Sequence, residues 1–148
     1  MLFNLFTKLY PVYFSGQIDI HNHLLYGVDD GSKSLDESKR MLKAYKELGF
    51  ESIMVTPHIF KDIYPNTEKD LKSKFQSLIS ETKSIKSPKI TNLGAEYMVD
   101  DLFLEKVKSG SKLLTFYKNH VLIEIPLFAD SYLLKQAVFE LQLNDYVV

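Results

Sequence analysis

The sequence predicts an α/β fold in which the strands of a parallel sheet are joined by crossover helices. Short β-rich runs alternate with helical runs along the 148 residues, an order that is typical of βαβ units. Apolar residues recur at helical spacing in the helical runs, and four successive β-rich runs lead to a histidine or a glutamate. The length suffices for a domain with a hydrophobic core. We expect residues 1–148 to belong to a single domain, with residues 1–16 as an N-terminal extension.

The first strand and the first helix have clear end signals. A strand is predicted over residues 17–20, and the run "SLDESKRMLKAYKELGF" predicts the helix that follows. Ser34 can cap this helix because Glu37 stands three residues later, as in a capping box. Gly49 is suited to end it.

The middle of the chain adds two strands and a helix. The run "SIMVTPH" predicts a strand that must end near Pro57, because proline cannot donate to a sheet ladder. Thr67 with Asp70 marks the next helix start, and apolar positions extend its buried face to Ile85. The run "KITNLGAEY" predicts a weaker strand that ends at Glu96.

The last third predicts a short helix, a strand and a longer helix. The short helix covers about residues 100–108, the run "HVLIEIP" forms a strand ending at Glu124, and "SYLLKQAVFELQL" forms the longer helix. The final "YVV" is expected to begin a fifth strand. An apolar strand at the chain end would leave an open sheet edge, so we expect the domain to be incomplete at its C-terminus.

Composition excludes several function classes. The net charge of −1 gives no sign of a nucleic-acid partner. The chain contains no cysteine, which excludes disulfides, thiolate metal sites and a cysteine nucleophile. It also fits a reducing compartment, and we expect a cytoplasmic location.

The N-terminal run "MLFNLFTKLYPVYF" is apolar and aromatic. Lys8 and Pro11 interrupt it, and no small-residue cleavage site follows, so it does not match a secretory signal. It is also too short to span a bilayer. Packing on the domain or on a partner is the favoured interpretation, and contact with a membrane surface is the alternative.

Chemically active side chains follow each of the first four predicted strands. His21 and His23 follow the first, His58 the second, Glu96 the third and Glu124 the fourth. Functional groups of parallel α/β folds gather at the carboxyl ends of the strands. We therefore expect these five side chains to converge on one cavity.

Imidazoles and carboxylates in this pattern predict a metal site. They suit Zn²⁺, Mn²⁺ or Fe²⁺, and Asp30 in the "VDDG" loop can reach the same cavity. A glutamate within "LIEI" needs a positive partner, and the single arginine, Arg40, is predicted on the first crossover helix. Asp29 and Asp19 are expected to support the ligands by hydrogen bonding. His120 precedes its strand and receives no ligand role.

Several motifs resemble the polymerase-and-histidinol-phosphatase (PHP) superfamily. They are "DIHNHLLYGVDDGSKSLDES", "TPHI", "YPNT", "GAEYMVDD" and "LIEIP". The branch they resemble most is that of the bacterial metal-dependent protein-tyrosine phosphatases of capsule and exopolysaccharide operons, the CpsB/YwqE type. The resemblance implies a distorted (β/α)7 TIM-like barrel, of which this chain would contain about the first five strands.

The resemblance also implies chemistry and partners. The family hydrolyses phosphotyrosine, typically on the tail of a tyrosine autokinase that controls polysaccharide export, and contact with the membrane would come only through that kinase. It holds up to three divalent metal ions; manganese is expected here, with iron, zinc or cobalt as alternatives. Glu96 would bridge two of them. The implied ligands are His21, His23 and Glu96 on the first metal, Glu96 and Glu124 on the second, and Asp30 and His58 on the third.

The chain departs from the family at its end. The family's later "HPER"-like motif, glycine-rich stretch and Asp-x-His are absent. These motifs supply the remaining ligands and the arginines that grip phosphate. A small-molecule phosphatase of the histidinol-phosphate type and a non-catalytic metal-binding fragment stay open as alternatives, as does the formation of oligomers.

Overall fold

The computed structural model describes residues 14–127 and 131–148, so most of the predicted N-terminal extension lies outside the described residues. Within the described residues the chain forms four helices and six strands. The helices are α1 (Leu35–Glu47), α2 (Glu68–Thr82), α3 (Asp101–Lys108) and α4 (Ser131–Leu143). The strands are β1 (Ile18–Asp19), β2 (Ser52–Val55), β3 (His58–Ile59), β4 (Lys89–Leu93), β5 (Glu96–Met98) and β6 (Leu122–Glu124).

All strand pairings between these elements are parallel, which confirms the predicted α/β class. The strands form two three-stranded sheets, in the orders β1-β2-β4 and β3-β5-β6. The predicted parallel strands are thus divided between two sheets. No closed barrel is seen within residues 14–127 and 131–148.

Two predicted strands are each divided into a pair of shorter strands. "SIMVTPH" breaks before Pro57, which has no amide hydrogen to donate. "KITNLGAEY" breaks at Gly94, where an added Cβ would lie only 2.6 Å from the Phe116 Cβ. Main-chain hydrogen bonds continue across both breaks, from Gly94 N to Val55 O at 2.8 Å and from Glu96 N to Pro57 O at 2.9 Å. The second sheet therefore continues the first along the same chain segments.

The N-termini of α1 and α2 have the predicted caps. The Ser34 and Thr67 side chains accept hydrogen bonds from main-chain amides three residues later at the starts of α1 and α2, and Asp100 does the same for α3. Each cap satisfies an amide that has no partner within its helix. Helix α2 ends at Thr82, and Ile85 lies in the turn that follows, where its amide donates to Thr82 O.

The end of the chain pairs with the segment before β6. Val121 N donates to Val147 O at 2.8 Å, and Val147 N donates to Asn119 O at 2.9 Å. The "YVV" run therefore begins parallel pairing, as expected.

Helices and sheets enclose one hydrophobic core, whose fully buried members include Leu24, Leu42, Ile53, Leu71, Leu78, Tyr97, Val99 and Leu141. Among the described helices, none has the length and apolar character needed to cross a bilayer.

Candidate metal centre

The two histidines after β1 are held by the asparagine between them. Asn22 is buried, its main-chain amide donates to Thr56 Oγ1 at 3.1 Å, and its side-chain amide donates to a main-chain carbonyl of β2 at 2.9 Å. These bonds attach the "HNH" segment to the end of β2. Because neighbouring side chains of an extended segment alternate in direction, both His21 and His23 then face Glu96.

Glu96 lies at the centre of the site and is 4% exposed. Its Oε2 lies 3.1 Å from His21 Nε2, 3.4 Å from His23 Nε2 and 3.4 Å from His58 Nδ1. Despite this proximity, Glu96 Oε2 and His58 Nδ1 are buried with no well-directed hydrogen bond to any described residue. Buried polar atoms are normally satisfied, and a cation between these groups would satisfy both.

Two further carboxylates approach His58 from either side. Asp30 Oδ1 lies 3.6 Å from His58 Nε2 and 3.8 Å from His23 Nδ1. Glu124 Oε2 lies 3.6 Å from His58 Nδ1. Asp30 and Glu124 are both partly open to solvent, in contrast to Glu96. The site therefore has a buried centre and an accessible rim.

The candidate ligand atoms form three overlapping groups, each spanning no more than 4.8 Å. The structure thus brings together all six residues that the sequence predicts as ligands, while their roles toward a metal stay predictions. Imidazole and carboxylate donors fit Mn²⁺, Fe²⁺ or Zn²⁺. The groups are His21 with His23 and Glu96, His23 with Asp30 and His58, and His58 with Glu96 and Glu124.

The fourth histidine lies apart from this cluster. His120 Nδ1 is 3.1 Å from Tyr117 O, and its ring packs near Phe116 and Tyr117. It belongs to none of the three groups, as its place before β6 led us to expect.

Asp29 connects the "VDDG" loop to both histidine-bearing segments. Its buried Oδ2 accepts hydrogen bonds from His23 Nδ1 at 2.9 Å and from His58 N at 3.0 Å, and its Oδ1 accepts one from Gly31 N at 3.0 Å. Donation from His23 Nδ1 leaves Nε2 directed at Glu96. Carboxylates commonly orient metal-binding histidines in this way, so the geometry fits the predicted supporting role.

The electrostatics of the cluster are set by these contacts. The hydrogen bond that His23 donates to Asp29 and the nearby Glu96 carboxylate raise the pKa of His23 to about 10, although burial opposes the rise. Burial favours a higher pKa for Glu96, but the close approach of His23 and the charges of His21 and His58 outweigh it and hold that pKa below its usual value. The carboxylate is thus ionised at neutral pH, as a metal ligand must be.

Asp19 supports the main chain of His21 rather than its ring. Its Oδ1 accepts a hydrogen bond from His21 N at 2.9 Å, and its Oδ2 accepts one from the Tyr45 hydroxyl at 2.6 Å. Burial, followed by the contact with Asp19, raises the pKa of Tyr45. Asp19 therefore joins the start of the "HNH" segment to helix α1.

Sequence reasoning missed several residues that shape the site. The Asn66 side-chain amide donates to Val28 O and to His58 O, both at 2.8 Å, and so joins the "VDDG" loop to β3. The Tyr64 ring stacks on His58 with 5.3 Å between centroids. An added Cβ at Gly31 would lie 2.2 Å from the His23 Cβ, so only glycine fits there. Their positions in the "YPNT" and "VDDG" motifs were the available signal.

The chain is similar to a known protein family and to several of its members. The family model described as capsular polysaccharide synthesis, CpsB/CapC, matches residues 17–148. CapC of Staphylococcus aureus is 31% identical over 130 residues, which are 88% of this chain and 51% of that protein. Tyrosine-protein phosphatase CpsB of Streptococcus pneumoniae is 33% identical over 87 residues, which are 57% of this chain and 36% of that protein.

A solved structure has a similar fold. It comes from the crystal structures of YwqE from Bacillus subtilis and CpsB from Streptococcus pneumoniae, described as unique metal-dependent tyrosine phosphatases. The TM-score is 0.75 at 26% identity, over 88% of this chain and 53% of that chain. The chain spans about half the length of such relatives, or less. Because the family model covers nearly all of the chain, the chain belongs to the CpsB/CapC family of capsular polysaccharide synthesis.

Proposed function

We propose that this chain acts as a metal-dependent phosphomonoesterase on phosphotyrosine in proteins. The observation that carries the proposal is the Glu96 carboxylate, buried among three imidazole nitrogens with its Oε2 unsatisfied by hydrogen bonds. Phosphatase activity and metal dependence are stated for relatives of this family. The cluster supplies the imidazole and carboxylate ligands that metal-dependent phosphate hydrolysis would need.

The proposed ligand roles follow the three groups of side chains. His21, His23 and Glu96 would hold one ion, and Glu96 would share a second ion with Glu124. Asp30 and His58 would hold a third. Bound divalent ions would activate water as the nucleophile and neutralise the charge that develops on the phosphoryl oxygens.

Neighbouring residues hold the candidate ligands in position. Asp29 fixes the orientation of His23 and holds the main chain of His58, so the two imidazoles keep a constant separation. Arg40 pairs with Glu37 on α1, with a separation of 3.6 Å, and is the chain's only arginine. Arg40 is therefore given no role at the proposed site.

Residues 1–148 would belong to one PHP-type domain whose complete form is a distorted (β/α)7 barrel. Manganese would be the principal ion, with up to three ions bound. The substrate would be the phosphorylated tail of a bacterial tyrosine autokinase that regulates capsule or exopolysaccharide synthesis, and the protein would act in the cytoplasm.

Phosphate release from a phosphotyrosine peptide tests this function. With Mn²⁺ added, we expect release that EDTA abolishes and that exceeds release from histidinol phosphate. His58→Ala should lower the rate at least tenfold, whereas His120→Ala, a matched histidine outside the cluster, should leave it unchanged. Release that survives EDTA, or equal loss in both variants, would contradict the proposal; faster release from histidinol phosphate would favour the small-molecule alternative.

A further inference from the structure

Strand β3 lies at one edge of the second sheet within the part of the chain that the structure describes. Its inner side pairs with β5, where Glu96 N donates to Pro57 O at 2.9 Å. Buried main-chain groups on the outer side of an edge strand need partners from elsewhere in the chain. His58, the first residue of β3, is buried, so the partners of its main-chain groups matter.

Two side chains take the place of a neighbouring strand at His58. The Asp29 carboxylate accepts a hydrogen bond from His58 N at 3.0 Å, and the Asn66 side-chain amide donates to His58 O at 2.8 Å. The same amide donates to Val28 O, also at 2.8 Å, and Val28 stands two residues before Asp30. Asn66 therefore ties the main chain of the loop that carries Asp30 to the main chain of His58.

Asn66 is itself held in place by its neighbours. Its main-chain amide donates to Tyr64 O at 2.7 Å, and the next residue, Thr67, caps helix α2. The Tyr64 ring stacks on the His58 imidazole, with 6° between the ring planes. Tyr64 also exchanges two main-chain hydrogen bonds with Phe60, at 3.0 and 2.7 Å. The segment that carries Asn66 is thus anchored at both ends and can hold the amide at a constant position.

The groups of candidate ligands depend on this tie to different degrees. Asp30 Oδ1 lies 3.6 Å from His58 Nε2, and these two residues belong to the two segments that Asn66 joins. Nitrogen and oxygen ligands lie about 2.0–2.2 Å from an ion such as Zn²⁺, so two ligands of one ion can be at most about 4.4 Å apart. An outward movement of the loop by about 1 Å would exceed that limit. The group with His21 and Glu96 contains neither residue.

We propose that Asn66 is a positioning residue, which keeps Asp30 and His58 at the separation that one shared divalent ion needs. The amide acts through the main chain of both segments and is not itself a ligand. This inference rests on the proposed function, because it concerns the ion that Asp30 and His58 would hold there.

Mn²⁺ binding by Asn66→Leu tests the proposal, since leucine keeps the branched shape of asparagine but has no hydrogen-bond donor. With free Mn²⁺ measured by electron paramagnetic resonance, we expect this variant to bind one ion fewer per chain at a concentration that saturates the wild-type chain. Asp30→Ala should lose the same ion, so the double variant should lose no more than Asp30→Ala alone. Asn92→Leu removes a comparable hydrogen bond, from Asn92 Nδ2 to Phe116 O at 2.8 Å, and should keep the wild-type number of ions.

Other results would overturn the proposal. They are an unchanged number of ions in Asn66→Leu, or a double variant that loses more metal than Asp30→Ala. Thermal unfolding without metal controls for the fold: if Asn66→Leu and Asn66→Ala both lack a cooperative transition, Asn66 supports the whole fold and the proposal is wrong.

Failure of the proposed function gives a different result. Mn²⁺ binding that follows the expected pattern, without phosphate release from a phosphotyrosine peptide, would contradict the proposed function and leave the role of Asn66 standing. No Mn²⁺ binding by the wild-type chain would overturn the role of Asn66 together with the metal centre.

Discussion

Glu96 has one oxygen, Oε2, that lies within 3.4 Å of three imidazole nitrogens. Asp30, in contrast, is largely exposed and reaches the cluster only at 3.6 Å or more. A ligand shared between two ions contributes to both, whereas a ligand at the rim contributes to one. The two carboxylates should therefore differ in their effect on metal content.

We expect Glu96→Ala to remove more metal than Asp30→Ala. The measurement is metal content per chain by mass spectrometry after loading with Mn²⁺ and dialysis. Thermal unfolding of both variants controls for loss of the fold. Equal losses, or a larger loss in Asp30→Ala, would show that Glu96 does not bridge.

Metal binding should strengthen as the pH rises. His23 has a pKa of about 10 in the folded chain, against about 6.5 for a free histidine, and only a neutral imidazole binds metal. Binding near pH 7 must therefore displace a proton from His23, and the apparent affinity should rise by up to tenfold per pH unit. Without metal, the free energy of unfolding should fall as the pH rises. The contribution of protonated His23 to that free energy is complete below about pH 6.5 and is lost as the pH rises through about 10.

Calorimetric titration with Mn²⁺ at pH 7 and pH 8 measures this dependence. Asp29→Asn removes the first cause of the raised pKa and should flatten the dependence. An affinity that is the same at both pH values in the wild-type chain would mean that His23 is already neutral or is not a ligand.

The sequence predicted the convergence of the histidine and carboxylate side chains better than it predicted the asparagines that hold them in place. Histidine and glutamate at strand ends are uncommon enough to stand out, and parallel topology brings strand ends together. Asn22 and Asn66 act through main-chain contacts with residues far along the chain. Asparagine next to a strand is usually a turn residue, so apart from the "YPNT" motif around Asn66 nothing in the local sequence distinguishes these two.

At the scale of elements, the breaks within two predicted strands depend on contacts that the local sequence does not contain. Gly94 divides β4 from β5 because the Phe116 main chain and Cβ lie within 2.8 Å of the position that a side chain would need. The partner is 22 residues later. The hydrophobic pattern of "KITNLGAEY" could not reveal it, whereas the N-caps Ser34 and Thr67 are local signals and were predicted correctly.

Gly94→Ala should destabilise the fold and disturb the site. The new methyl group would collide with main-chain atoms of Phe116, and overpacking of this kind costs about 1–3 kcal/mol. Because Glu96 is two residues away, we also expect reduced metal content. Urea unfolding followed by circular dichroism measures the stability, and a midpoint equal to that of the wild-type chain would contradict the packing argument.

At the scale of the whole molecule, four chain segments that are separated in sequence meet at one site. His21 and His23 follow β1 and Glu124 ends β6, whereas His58 and Glu96 begin β3 and β5 because the predicted strands continue past them. The loop before α1 contributes the aspartates. The order of strands and helices predicted this convergence. It did not predict that the strands form two successive sheets, because that geometry depends on the breaks described above.

Anomalous X-ray diffraction from crystals of this chain soaked with Mn²⁺ tests the metal centre most directly. Data collected on both sides of the manganese absorption edge should show a difference peak at bonding distance from Glu96 Oε2, between His21 and His23. A second peak should lie between Glu96 and Glu124. Peaks confined to other parts of the surface, or none within this cluster at saturating Mn²⁺, would contradict the assignment of these residues as a metal centre.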